Sequence, residues 1–438
     1  MRFIPAVFAL VVCGLQSCAA APNDLAASFP LGVYWPWERV QPMADRAGLD
    51  KWVYVERSLD DMRAHNVDSV WAVNLGIPDL APLAARMAAR GMKLVPALGE
   101  LHYNVEWRRN NWEYLEQESR RAIAAAGESP AILAWALCDE PTRPIVAEME
   151  KFRQRFHEWG AKQPAVVVTM WPDTPTYSAQ TDFAAACTDI YPFFTDGNPN
   201  GPNPAPVSRN WYRNNATICA QVAYTNGQTP WVMPQAYDEV WGPWKWDAKG
   251  NAVVLPGGIV HWRPPTPAEM KWQVWCAVAA GVRGFFWFCY SPDPGDMSQT
   301  KPYVGPTFPA SMAAKQETPL DFPGALVHPD GSATPQYEAA AEAFGALRKL
   351  TTLLTGAAPA SPLGEVAVPG FLGTLRNPQS GRTFGVLVND DTDAAHTLKL
   401  RLAAPKPLVD LRTGARLTPD AEGCVTLTLG AGDGTVVE

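Results

Sequence analysis

From Phe29 onward, short apolar runs alternate with longer stretches in which apolar residues recur at helical spacing. Eight runs read as strands: Phe29 to Trp35, Val67 to Asn74, Lys93 to Glu100, Ala131 to Glu140, Ala165 to Trp171, Ala184 to Tyr191, Thr229 to Tyr237 and Val282 to Tyr290. Between them lie helix-compatible segments such as APLAARMAARG, WEYLEQESRRAIAAAG and PTPAEMKWQVWCAVAAG, each closed by the glycine common just past a helix C-terminus. Eight strand and helix repeats predict an α/β fold of the TIM-barrel type, (β/α)8, with extended loops. A doubly wound nucleotide fold would carry a glycine-rich phosphate loop after its first strand. FPLGVYWPWERV at that place has one glycine and two tryptophans.

PQYEAAAEAFGALRKLTTLL reads as the last barrel helix. Past GAAPASP the pattern shifts to short alternating strands with turn signals, EVAVPGFLGTLR, RTFGVLVND, HTLKLRL, KPLVDLR and CVTLTLG, which predict a small all-β sandwich. The expected organisation is a signal segment at 1–17, a linker at 18–28, a catalytic barrel at 29–355 and an accessory sandwich at 356–438.

Composition narrows the function classes. With 47% hydrophobic and 18% charged residues and 42 prolines, the 438-residue chain is globular and rich in punctuated loops. A net charge of -8 without any Lys/Arg run argues against a nucleic-acid partner. The N-terminus MRFIPAVFALVVCGLQSCAAAP has one early positive charge, an apolar run from Phe3 to Leu15 and then small residues, the anatomy of a secretory signal. Its LQSC resembles the lipobox of bacterial lipoproteins. That resemblance implies lipidation of Cys18 as the first mature residue, a membrane tether outside the cytoplasm and, with Ala19 following, the outer membrane of a Gram-negative cell. The later cysteines, Cys138, Cys187, Cys219, Cys276, Cys289 and Cys424, are scattered without C-x-x-C spacing and are expected as buried free thiols.

Barrel enzymes take their functional side chains from the C-terminal ends of the strands. The strand assignments therefore nominate Trp35, Trp37 and Glu38, then Asn74, Glu100 and His102, then Asp139 and Glu140, then Trp171 and Asp173. Asp189 and Tyr191, then Gln235, Tyr237, Asp238 and Glu239, and finally Tyr290 and Asp293 complete the rim. The rim is poor in histidine and has no H-x-H pair, so neither a metal nor a cofactor is expected. Carboxyl groups with aromatic rings suit sugar chemistry, because glycoside hydrolysis needs one carboxyl as acid and a second as nucleophile or base. Half of the 18 tryptophans, Trp52, Trp159 and Trp275 among them, are expected in the core instead. The stretch FFTDGNPNGPNPAPVSRNWYRNN after the sixth strand reads as irregular and as one wall of a cleft.

The W-x-x-x-D-E-P of Trp135 to Pro141 resembles the N-E-P of clan A glycoside hydrolases. FPLGVYW, the passage RPPTPAEMKWQVWCAVAAGVRGFFWFCYS and the C-terminal sandwich share that resemblance. It implies that Glu140 is the general acid/base and that Asp139 replaces the asparagine contacting the sugar 2-hydroxyl. This departure sets two like charges side by side, which favours keeping one protonated. The clan's nucleophile ends the seventh strand, where WVMPQAYDEVWG places Gln235, and an amide cannot attack. The second carboxylate is then Asp238 or Glu239, or else Glu100, Asp189 or Glu38. Each carboxylate has a plain alternative as a solvated residue or a partner of Arg143, Arg209 or Arg263. Trp35, Trp37, Asn74, Glu100, His102, Trp171, Asp189, Tyr191, Gln235, Tyr237 and Tyr290 are candidate substrate contacts, with a supporting or core role equally open for His102. The expected function is cleavage of O-glycosidic bonds in an extracytoplasmic oligo- or polysaccharide. A surface glycan-binding lipoprotein that has lost the catalytic pair is the alternative.

Overall fold

A computed structural model describes residues 24–103, 105–170, 172–195, 205–248, 250–293, 295, 298–299 and 320–438. All eight runs form strands: Leu31–Pro36, Ser69–Leu75, Lys93–Leu98, Trp135–Asp139, Ala165–Met170, Ala185–Ile190, Thr229–Pro234 and Phe285–Phe288. They form one closed parallel barrel in sequential order, sealed where Leu31 to Tyr34 pair with Phe285 to Phe288. The signal segment and Cys18 lie outside the described residues.

Strand alternation sorts side chains between two apolar clusters. Leu31, Val33 and Trp35 point outward and pack with helix residues such as Val40 and Leu59. Tyr34, Trp71, Val95, Ala136, Val168, Cys187, Trp231 and Phe286 fill the lumen. Rings there need small neighbours. A Cβ added at Gly32 would stand 2.5 Å from the Phe286 ring, so the missing side chain makes room for it.

The helix Pro267–Ala280 begins with a reciprocal Thr266–Glu269 capping box and stops at Gly281, whose φ of +99° suits glycine. Its residues from Glu269 to Ala280 are nearly all buried, as expected of a helix packed on two sides. One side meets the barrel and the other meets C-terminal antiparallel sheets. Those sheets pair Ala358–Pro359, Gly370–Arg376, Thr383–Asn389 and Gly434–Val437 in one layer, and Gly364–Val366, His396–Leu402 and Cys424–Leu429 in the other. Leu398, Leu400, Leu402, Val425, Leu427 and Leu429 alternate inward to form the core between them. The terminal strand Gly434–Val437 was not expected from the sequence, being only four residues long and beginning at a glycine.

Two loops differ from expectation. The irregular stretch after the sixth strand becomes helical at Ala205 and continues to Thr225. Its last proline, Pro206, falls in the first turn, where a missing N–H forfeits no helical hydrogen bond. After the seventh strand, Glu239–Trp241 pairs with Ile259–Trp262 and with Leu320–Asp321, building a small antiparallel sheet above the barrel mouth. The six later cysteines are buried free thiols, as expected.

The docking of the sheets on the barrel rests on close backbone approach. A Cβ at Gly373 would lie 1.8 Å from the carbonyl oxygen of Ala279. Gly373→Ala should therefore lower stability by about 1–3 kcal/mol, seen as a lower urea midpoint; an unchanged midpoint would refute tight docking.

Candidate active site

On a regular strand, neighbouring side chains point to opposite faces. The end of the fourth strand breaks that rule twice. Its pairing with the fifth strand shifts register between Ala136 and Asp139, and Glu140 adopts a left-handed φ of +46°. These departures bring both carboxyls to the barrel mouth. The Tyr34 hydroxyl, one layer above the lumen floor, donates to Asp139 Oδ2 at 3.1 Å. Along the sixth strand, Ala185 and Cys187 face the lumen and Asp189 continues that column to the mouth. There its carboxyl comes within hydrogen-bonding reach of Glu140.

Three carboxyls thus share one poorly hydrated corner. Burial, then the charge of Glu140, pushes Asp139 up to about 7, with the Tyr34 hydrogen bond opposing. Asp189 is driven well above the carboxylate range by burial first, then by Glu140 and Asp139. Burial and the adjacent acids thus favour proton uptake at Asp139 and Asp189. Burial and the neighbouring acids also hold Tyr34, Tyr191 and Tyr237 in their neutral hydroxyl forms.

An aromatic wall stands over this corner. Phe288 sits at its centre, with ring centroids 4.8 Å from Tyr34, 5.6 Å from Tyr191, 5.0 Å from Tyr237 and 5.3 Å from Phe322. Trp262 extends the wall, its indole N–H donating to the Tyr191 carbonyl at 3.0 Å. A cavity of about 410 Å3 opens beside it, lined by Glu38, Arg39, Pro42, Arg46, Asp293 and Gly295. On the same rim, exposed Asn74 donates to Glu38 at 3.2 Å.

Other nominated residues have different occupations. Trp35 faces outward and is fully buried, and Trp37 packs in the same cluster while its indole N–H bonds Asp79 at 2.7 Å. Tyr290 is likewise an outward core residue, donating to Asp61 at 3.2 Å. None of the three is a sugar platform. Gln235 is fully buried and its side chain is spent on backbone: Oε1 accepts from Phe193 N–H, and Nε2 donates to the Tyr237 and Arg263 carbonyls. It braces the seventh-strand loop and offers nothing to a substrate. Glu239 is buried against His261 at 2.8 Å, beneath a Trp241 ring stacked on the imidazole at 4.3 Å. Asp238 accepts from the Gly324 N–H, and burial pushes it up to about 6. Glu100 accepts from Ile77 N–H at 3.2 Å, at the start of the helix Ile77–Ala89. His102 is half-buried, its pKa lowered by burial and by Arg108. Asp173 pairs with Arg143, the plain alternative. Trp171 lies outside the described residues.

Tyr34, Phe288 and Trp262 were missed in the sequence. Tyr34 and Phe288 were legible in principle: strand alternation counted from the outward Val33 places Tyr34, not Trp35, in the lumen. Trp262 had no such signal, because its position depends on the sheet inserted after the seventh strand.

No protein-family model matches the sequence. No curated protein matches it either. Among solved structures the chain is similar to the β-glucuronidase of Ruminococcus gnavus, with a TM-score of 0.48 and 10% identity over 72% of this chain and 50% of that one. The complexes of a Ruminococcus gnavus β-glucuronidase with D-glucaro 1,5-lactone and with D-glucuronic acid give TM-scores of 0.45 and 0.43 at 10% and 11% identity. Each of these complexes covers 67% of this chain and 46% of the other, so this chain spans about half the length of those it matches.

The raised carboxyls make stability pH-dependent in a defined direction. Folded Asp139 binds its proton more tightly than the unfolded residue, so its contribution is fully present below the usual carboxylate range and is lost as pH rises through about 7. Asp139→Asn should accordingly raise the melting temperature at pH 8 relative to wild type and change it least at pH 4; equal effects at both pH values would contradict the assignment.

Proposed function

We propose that the chain is a glycoside hydrolase in which Glu140 acts as general acid/base at the barrel mouth. The observation that carries this reading is the corner formed by Asp139, Glu140 and Asp189, which retains a proton near neutral pH under a wall of aromatic rings. Glu140 is half-buried and Asp189 buried behind it, which suits Glu140 to pass the proton to a departing glycosidic oxygen. As the proton leaves, the anionic corner faces the positive charge growing on the sugar ring. Tyr191 and Trp262, half-buried beside that corner, would border the sugar. Glu140→Gln should lower kcat by about 100- to 10,000-fold on any glycan the wild type cleaves, while calorimetric binding of that glycan persists.

A second reading, a glycan-binding protein without turnover, is favoured by Gln235, which stands where a seventh-strand nucleophile is expected and is committed to backbone bonds. Wild-type protein that binds glycans and cleaves none would establish it.

The same proposal places the protein outside the cytoplasm, tethered through Cys18, with no cofactor and no nucleic-acid partner. LQSC is what supports the tether. Cys18→Ser should abolish incorporation of labelled palmitate and release the protein from the membrane fraction; retention of both would remove the anchor from the proposal.

A further inference from the structure

Building on the glycosidase reading, we propose that the departing half of the substrate is itself a sugar ring, stacked on an apolar platform that Trp107 and Met170 form on either side of the fourth strand. The chemistry fixes the side. A general acid must reach the glycosidic oxygen it protonates, and that oxygen leaves with the departing group. The departing group therefore lies over the part of the rim from which Glu140 projects, the end of the fourth strand and its neighbours, the third and the fifth.

Both neighbours carry an exposed apolar side chain there. Among the described residues, the large apolar side chains with substantial exposure are four valines, Trp107 and Met170. Met170 is the last residue of the fifth strand and, at 37% exposure, continues the lumen column of Val166 and Val168 to the mouth. The Glu140 backbone N–H donates to the Val168 carbonyl at 3.0 Å, so Met170 stands one step of the column above the contact that holds the acid. Thr169 between them points the other way, donating to the Cys187 carbonyl at 3.0 Å.

Trp107 lies in the short turn Glu106–Arg108 beyond the third strand and is 57% exposed. Its ring is held in place. The Arg108 guanidinium lies over it, 5.0 Å from the ring centroid, and Tyr114 meets it edge-on at 4.9 Å. Arg108 also donates to the Gly99 carbonyl and, at 3.5 Å, to that of His102, which ties the turn to the end of the third strand. Tyr114 belongs to the first turn of the helix Trp112–Ala126, which Asn111 caps. A ring fixed in this way loses little freedom when a ligand stacks on it.

A sugar fits this platform better than a wholly apolar leaving group. A pyranose presents C–H groups on its face and hydroxyls around its edge. The tryptophan ring and the methionine thioether suit the face, while Arg108 and Tyr114, bordering the tryptophan, offer polar groups to the edge. The protein is then built to cut between two sugars.

The test uses the full chain. 4-Nitrophenyl glycosides of glucose, galactose, mannose, xylose, glucuronic acid and 2-acetamido-2-deoxyglucose, in both anomers, identify the sugar that is taken. That sugar joined to O3, O4 or O6 of glucose is then compared with its methyl glycoside of the same anomer, which offers no second ring. Wild type is expected to favour the best of the disaccharides in kcat/KM by about 100-fold. Trp107→Ala should shrink that preference by about 10-fold and Met170→Ala by about 3-fold, whereas Trp107→Phe, which keeps an aromatic face, should retain most of it. Equal hydrolysis of methyl glycoside and disaccharides by wild type, a preference unmoved by Trp107→Ala, or one lost equally in Trp107→Ala and Trp107→Phe would overturn the inference and leave the glycosidase reading standing. No release from any of these glycosides would overturn both.

Discussion

A closed parallel barrel must fill its own interior, and here that requirement decides which residues reach the mouth. Alternate positions on each strand are committed to the lumen, so a column such as Ala185 and Cys187 fixes the direction of Asp189 above them. The first strand obeys the same rule, with Gly32 yielding space to Phe286 and Tyr34 rising over it toward the fourth strand. Packing of the floor and placement of chemistry at the rim are therefore one constraint. A residue added or lost within a strand would exchange the inward and outward sets and carry Tyr34 or Asp189 away from the mouth.

The fourth strand is where the chain departs from this regularity. An unbroken strand would deliver either Asp139 or Glu140 to the mouth and send the other among the helices, where an unpaired charge is costly. A register shift and a left-handed residue place both on the open side. Left-handed φ at a non-glycine residue costs of order 1–3 kcal/mol, and strain of that kind gathers at functional sites. The second acid pair on the rim is built differently: Asp321, pushed up to about 8 by burial and then by Asp293, has Arg39 nearby to temper it.

Much of the barrel was legible in the sequence because parallel strands covered on both faces read as continuous apolar runs, and helices between them end at glycine. The fourth-strand acids were legible for the same reason, standing at the end of a run. Taking the last residue of the first run as the functional one selects Trp35 over Tyr34, where counting alternation from the outward Val33 would have chosen the inner residue. Tyr290 falls on the same face as Phe288 by that count, and it lies outward because the regular strand ends at Phe288. Gln235 could not be resolved that way, because its role is set by Phe193, Arg263 and Gln273, distant in sequence. The pairing of Glu239 with His261 likewise depends on an inserted sheet whose strands are three or four residues long, too short to declare themselves.

Electrostatics links these observations. In water, three carboxyls as close as Asp139, Glu140 and Asp189 would each ionise and repel weakly. Beneath Phe288, Tyr191 and Tyr237 the hydration that permits this is reduced, and proton uptake relieves the repulsion instead. The same corner gains when positive charge develops in front of it, since ionised carboxylates attract that charge. A corner of this kind discriminates between the charge states of a neighbouring group before any shape is compared: it favours a group that becomes cationic, accepts a neutral one, and disfavours one that already carries a negative charge.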